Sequence, residues 1–198
     1  MPRYHGEMRM FLRKSTVGRD PLVLAMSGVR MGERLLQIGV DDPAELGALA
    51  AKVGISGHAA VAALDEGSAS RARAGIVDAA ALADVSVTTS GDLPFDGDSF
   101  DVVIVHGMTG LLASLSTGVR ARLLSQLLRV TRAGGRVILT EPGERSGLKA
   151  MLAPALKRDE RYEQGGGTIG AVQGAGFRPV RLLADRDGIR FIEGLKPA

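Results

Sequence analysis

A chain of 198 residues with 45% hydrophobic and 24% charged residues has the composition of one globular domain with a full core, and its 4% aromatic content, without Trp, argues against a surface that stacks nucleic-acid bases on rings. The absence of cysteine excludes disulfides, thiolate metal sites and a cysteine nucleophile, and the dispersed histidines His5, His58 and His106 do not form a zinc motif. The net charge of +3 is uneven: Arg3, Arg9, Arg13, Lys14, Arg19 and Arg30 stand against Glu7 and Asp20 in residues 1–30, a local +4 that leaves the remainder at −1.

Such an amino-terminal arm reads either as a contact for phosphates or acidic lipid, or as the solvated face of a helix; the second is the simpler expectation. No apolar run reaches the roughly 18 to 20 residues that cross a bilayer, and MPRYHGEMRMFLRKS lacks the unbroken apolar segment of a signal peptide, so a cytoplasmic location is expected.

From Gly32 onward short apolar runs alternate with helical stretches, and glycine or acidic turns mark the boundaries. Arg34 to Ile38 reads as a first strand, Ala44 to Val53 as a helix, His58 to Leu64 as a second strand, Ser68 to Ala80 as an Ala-rich helix, and Asp84 to Thr88 as a short third strand. Phe100 to Val105 (FDVVIV) runs apolar without alternation, as a strand buried on both faces does. VRARLLSQLLRVTRAGG places Leu123, Leu124, Leu127, Leu128 and Val130 on one stripe and Arg120, Arg122, Arg129 and Arg132 around the other; it predicts an amphipathic helix capped at Gly134. Arg136 to Thr140 is the next strand, closing on Glu141 and Pro142. Residues 143–167, broken by Pro154 and ending in three glycines, predict a short helix and connector, a candidate lid. In FRPVRLLADRDGIRFIEGLK two apolar runs joined by Asp185, Arg186, Asp187 and Gly188 make a β-hairpin, so one strand must run against the others.

This order of elements resembles the class I S-adenosylmethionine-dependent methyltransferases, whose Rossmann-like α/β sheet of seven strands is mostly parallel and ends in an antiparallel hairpin strand, with helices on both faces. GDLPFDGDSFDVVIVHG is similar to the family's approach to strand four, LLRVTRAGGRVILTEPG to its following helix and strand five, and GAGFRPVRLLADRDGIRFIEG to its last helix and hairpin. The resemblance covers about residues 30–195 and implies a single domain over 1–198, S-adenosylmethionine as cofactor, and transfer of its methyl group to a small-molecule acceptor.

In that family the turn after strand one is Gly-x-Gly-x-Gly, so that backbone can approach the methionine portion. Here Gly39 keeps the first glycine, Asp41 and Pro43 replace the other two, and Gln37 replaces an acidic residue in the strand. Asp65 matches the carboxylate that accepts both ribose hydroxyls, with Glu66 beside it; an acidic residue near the amino terminus of the next helix, where the dipole favours it, is the alternative reading. Thr88 and Thr89 stand where the family has its adenine-holding Gly-Asp pair, with Ser90 next, and Asp92 reads as a turn cap. Cofactor binding is thereby assigned to Gly39, Asp41, Asp65, Glu66, Thr89, Ser90 and His106. His106 is also the candidate base, with Glu141 near it and a turn hydrogen-bonding role as its alternative. The arm over residues 1–30 is a candidate lid or homodimer contact. The altered turn keeps a second function open, that of a catalytically silent scaffold or partner-binding subunit.

Overall fold

In the computed structural model, residues 20–88, 91–143 and 160–198 are described. The chain forms a seven-stranded sheet: β1 (Arg34–Ile38), β2 (His58–Ala63), β3 (Asp84–Val87), β4 (Phe100–His106), β5 (Thr131–Pro142), β6 (Val180–Arg186) and β7 (Ile189–Leu195). Its order is β3-β2-β1-β4-β5-β7-β6. Pairings from β3 through β5 are parallel, and β7 runs antiparallel to both β5 and β6. The expected arrangement of strands is met, and β1 matches its predicted span residue for residue.

The order reverses at β1, which lies between β2 and β4, so the crevice beyond the carboxyl ends of β1 and β4 is the switch point at which open α/β sheets bind ligands. The helices are α1 (Asp20–Met26), α2 (Pro43–Val53), α3 (Glu66–Asp78), α4 (Leu111–Ser114), α5 (Thr117–Val130), α6 (Glu160–Gln164) and α7 (Gly167–Gly174).

The unbroken apolar run of β4 has a simple cause. Val103 and Val105 join the core beneath α5 and α7, whereas Val102 and Ile104 join the opposite core beneath α1 and α2, so period-two alternation feeds two apolar layers. The hairpin turns through Asp187 and Gly188, at φ 55° and 76°, the pair of left-handed residues that a two-residue type I′ turn demands. Phe191 and Ile192 then bury completely on opposite faces and fix β7 in place, at roughly 1.5 to 3 kcal/mol for each side chain removed from water.

Two sequence expectations need correction. The amphipathic helix ends at Val130, not near Gly134: Thr131 turns extended and its hydroxyl donates to the Leu127 carbonyl, while Gly134, at φ 70°, sits inside the irregular opening of β5. Arg120, expected on the solvated stripe, is 6% exposed, because Nη1 donates to the carbonyls of Leu112 and Leu115 and the guanidinium lies 4.2 Å from the centre of the Tyr162 ring. The amino-terminal arm up to residue 19, and 144–159 of the predicted connector, lie outside the described residues. Within 160–167 the connector contributes the short helix α6.

Candidate functional site

Gly39 ends β1 at φ 76°, and a Cβ there would come within 3.2 Å of the His106 carbonyl, so only glycine allows the first turn to lie this close to the end of β4. The residues that follow Asp41 start a helix. Asp42 is the N-cap of α2, its carboxylate accepting from the Ala44 N–H at 2.9 Å, and Pro43 occupies the first helical position, where a missing N–H costs nothing. Asp41 reaches across the crevice: its Oδ2 accepts from the Met108 N–H at 2.7 Å, tying the turn after β1 to the turn after β4.

Beneath that turn lies a buried polar cluster. Gln37 Nε2 donates to the Leu46 carbonyl at 3.0 Å, which leaves Oε1 to accept from His106 Nε2 at 2.9 Å. That partner puts a proton on Nε2. Nδ1 faces Glu45 Oε1 at 3.6 Å and has no hydrogen bond. His106 is 2% and Glu45 6% exposed, so the imidazole braces β1, β4 and α2 from below. Nothing in the sequence singles out Glu45, since an acidic residue in a first helical turn is ordinary.

At the end of β2, Asp65 is the N-cap of α3. Oδ1 accepts from the Ser68 N–H at 2.7 Å and Oδ2 from the Ser68 hydroxyl at 2.9 Å. These two bonds, the backbone one foremost, hold its carboxyl below the usual carboxylate range. The carboxylate is exposed and ionised, and the Gly67 N–H adds a weaker bond to it. Glu66 follows in the first turn, exposed and 3.9 Å from Arg73. Thr89 and Ser90 lie outside the described residues. Beside them the Thr88 hydroxyl donates to the Asp92 carbonyl, and the Asp92 carboxylate accepts from Arg122 Nε at 2.7 Å.

On the other side of β4 the described residues enclose a cavity of about 420 Å³ between the ends of β4, β5 and β7 and the helices α4, α6 and α7. Val105, Leu112, Leu139, Ile169 and Ile192 form its apolar lining. Its polar side carries Tyr162, Thr168, Glu141 and Arg190. The Thr168 hydroxyl donates to Glu141 Oε2, so its oxygen must accept from the Tyr162 hydroxyl, 2.7 Å away. Glu141 Oε1 pairs with Arg190 Nη1 at 3.0 Å. Neither His106 nor any of the proposed turn residues lines this space. Glu141 was legible as a strand-end carboxylate; Tyr162 and Thr168 were not, because the glycines between them suggested only a connector.

Burial pushes the Tyr162 hydroxyl up from 10.0 to about 12. A group whose folded value is raised contributes stability that is complete below the unfolded value and fades as pH rises through the folded one. Stability measured by urea unfolding should therefore fall between pH 10 and pH 12, and a Tyr162→Phe variant should lose that part of the slope.

A model of the methyltransferase domain matches residues 38–139, just over half of the chain. No curated protein matches in sequence. Among solved structures, a SAM-dependent methyltransferase from Aquifex aeolicus shares 17% identity at a TM-score of 0.69, over 90% of this chain and 89% of that one. The [4+2]-cyclase SpnF shares 16% at 0.62, over 89% and 79%. Human N-acetylserotonin methyltransferase, solved with SAM, shares 15% at 0.61, over 89% and 51%. At these identities the structural likeness speaks for the fold, and a cyclase on the same fold shows that function has to be argued from the site.

Proposed function

Because the chain belongs to the methyltransferase domain family, whose cofactor is S-adenosylmethionine, we propose that it transfers a methyl group from that cofactor to a small molecule seated in the cavity beyond β4 and β5. The single observation that carries the acceptor half is that cavity, closed on one side by apolar side chains and on the other by a hydrogen-bonded polar row at the strand ends.

The residues at the switch point suit the cofactor's donor and acceptor groups. Asp65, ionised and exposed, offers its oxygens to the two ribose hydroxyls, and Glu66 adds charge beside it. Gly39 lets the first turn lie against the end of β4, and the carboxylate missing from Gln37 is returned by Asp41, which would face the cofactor's ammonium. Bound there, S-adenosylmethionine supplies an electrophilic methyl on a sulfonium, so what the protein must add is alignment and exclusion of water. His106 serves as a positioning residue through Gln37 rather than as a base, since its imidazole lies outside the cavity.

One observation favours a silent scaffold instead: the bond from Met108 to Asp41 spans the crevice that the methionine portion would enter. A thermal-shift titration with S-adenosylmethionine and S-adenosylhomocysteine separates the two readings. Binding to the native state alone stabilises it by about 2.7 kcal/mol at a hundredfold excess over the dissociation constant. The expected result is a rising melting temperature; no shift at millimolar ligand would sink the enzyme reading.

A further inference from the structure

We infer that the cavity selects a neutral, largely apolar molecule by its hydroxyl group, and that the row Tyr162, Thr168, Glu141 receives the proton which that hydroxyl loses on methylation; the second half rests on the proposed methyl transfer. The direction of the hydrogen bonds carries the argument. A carboxylate has no proton to give, so Thr168 donates to Glu141 and Tyr162 donates to Thr168. Each donor of the row is spent inside it. What the row offers a ligand is a lone pair on the Tyr162 oxygen, and a lone pair asks for an O–H or N–H. Tyr162 and Thr168 are only 7% and 5% exposed, so a lone pair left there without a partner costs free energy.

Charge decides between the two donors. Glu141 pairs with Arg190 at 3.0 Å, Arg190 also lies 3.5 Å from Asp185, and Glu163, the other carboxylate of the lining, is itself engaged. The Arg120 guanidinium covers the Tyr162 ring. An ammonium would find both carboxylates of the lining engaged, whereas an anion would meet those carboxylates and the lone pair of Tyr162. A neutral hydroxyl on an apolar body fits both walls.

The proton balance closes within the row. As the acceptor oxygen forms its bond to the methyl carbon, the carbon–sulfur pair returns to sulfur, leaving a thioether. The acceptor's proton moves to the Tyr162 oxygen while the tyrosine's own proton passes to Thr168 and that of Thr168 to Glu141. Glu141 ends as a neutral acid and, with 22% of its side chain exposed, returns the proton to solvent. A carboxylate is basic enough here, because an oxygen already bonding to carbon gives up its proton readily.

The absence of Trp leaves naphthyl fluorescence unobscured, so binding is read directly by titrating the protein with 2-naphthol, naphthalene and 2-naphthoate, without cofactor. Wild type should bind 2-naphthol at least about tenfold more tightly than either of the others. Tyr162→Phe should abolish that preference while naphthalene affinity stays level. Equal affinity for 2-naphthol and naphthalene in wild type overturns the inference without any variant. With S-adenosylmethionine present, Thr168→Val should lower the rate of 2-methoxynaphthalene formation by about a hundredfold, with affinity for S-adenosylhomocysteine unchanged. An unaltered rate in that variant overturns the relay. Should the cofactor not bind at all, the proposed methyl transfer and with it the relay fall, while the hydroxyl preference stands or falls on the naphthol titration.

Discussion

Replacing Gly75 by alanine should cost about 3 kcal/mol or more of unfolding free energy, a large share of the roughly 5 to 15 kcal/mol that holds an ordinary domain together. Gly75 lies inside α3, where alanine by propensity alone would be preferred by about 1 kcal/mol. The packing reverses that sign. A Cβ on Gly75 would fall inside the carbonyl of Pro43, and one on Gly47 inside the carbonyl of Gly75, because α2 and α3 cross backbone to backbone. Neither obstacle is a flexible side-chain end, so relief requires one helix to shift. The shift would reach the crevice, since Pro43 opens α2 directly after Asp41 and Asp42, and α3 begins beside Asp65. Urea unfolding should show the loss, and affinity for S-adenosylhomocysteine should fall with it. Gly118, near the start of α5 with nothing within 4 Å of its added Cβ, is the comparator. There alanine should gain about 0.5 kcal/mol. Equal stability of the two variants would show that α2 and α3 do not approach so closely.

The order of strands and helices was legible because it is written in local pattern: an unalternating run for β4, a leucine stripe for α5, an Asp-Gly turn between β6 and β7. Strand ends were legible too, which is why Gly39, Asp65 and Glu141 stand at the carboxyl edge of the sheet as read. What the sequence hid depends on contacts between segments far apart along the chain. Gln37 reads as a mere loss of an acidic residue until His106, 69 positions later, is found bonded to its amide oxygen. Arg120 reads as solvated because its helical face does, yet the carbonyls of the preceding turn and a tyrosine ring take it into the interior. Pro43 reads differently for another reason. Compared with a glycine pattern it is a defect; compared with the requirements of a helix start it is a first residue, placed directly behind the cap at Asp42.

Asp41 is where the two functional readings give opposite results. If its carboxylate faces the ammonium of S-adenosylmethionine, Asp41→Asn should weaken binding by about 10 to 100-fold, the loss expected when a hydrogen bond to a charged group becomes a neutral one. Asparagine's carbonyl can still accept from the Met108 N–H, so the turn should keep its shape and the melting temperature of the free protein should hardly move. Asp41→Ala removes both the charge and the tie between the two turns. On the cofactor reading it binds no better than the asparagine variant. If instead the aspartate plugs the crevice, alanine opens it, and affinity rises above that of wild type. Calorimetric titration of the three proteins decides the matter, because the alanine variant must move in one direction if Asp41 is a ligand and in the other if it is an obstacle.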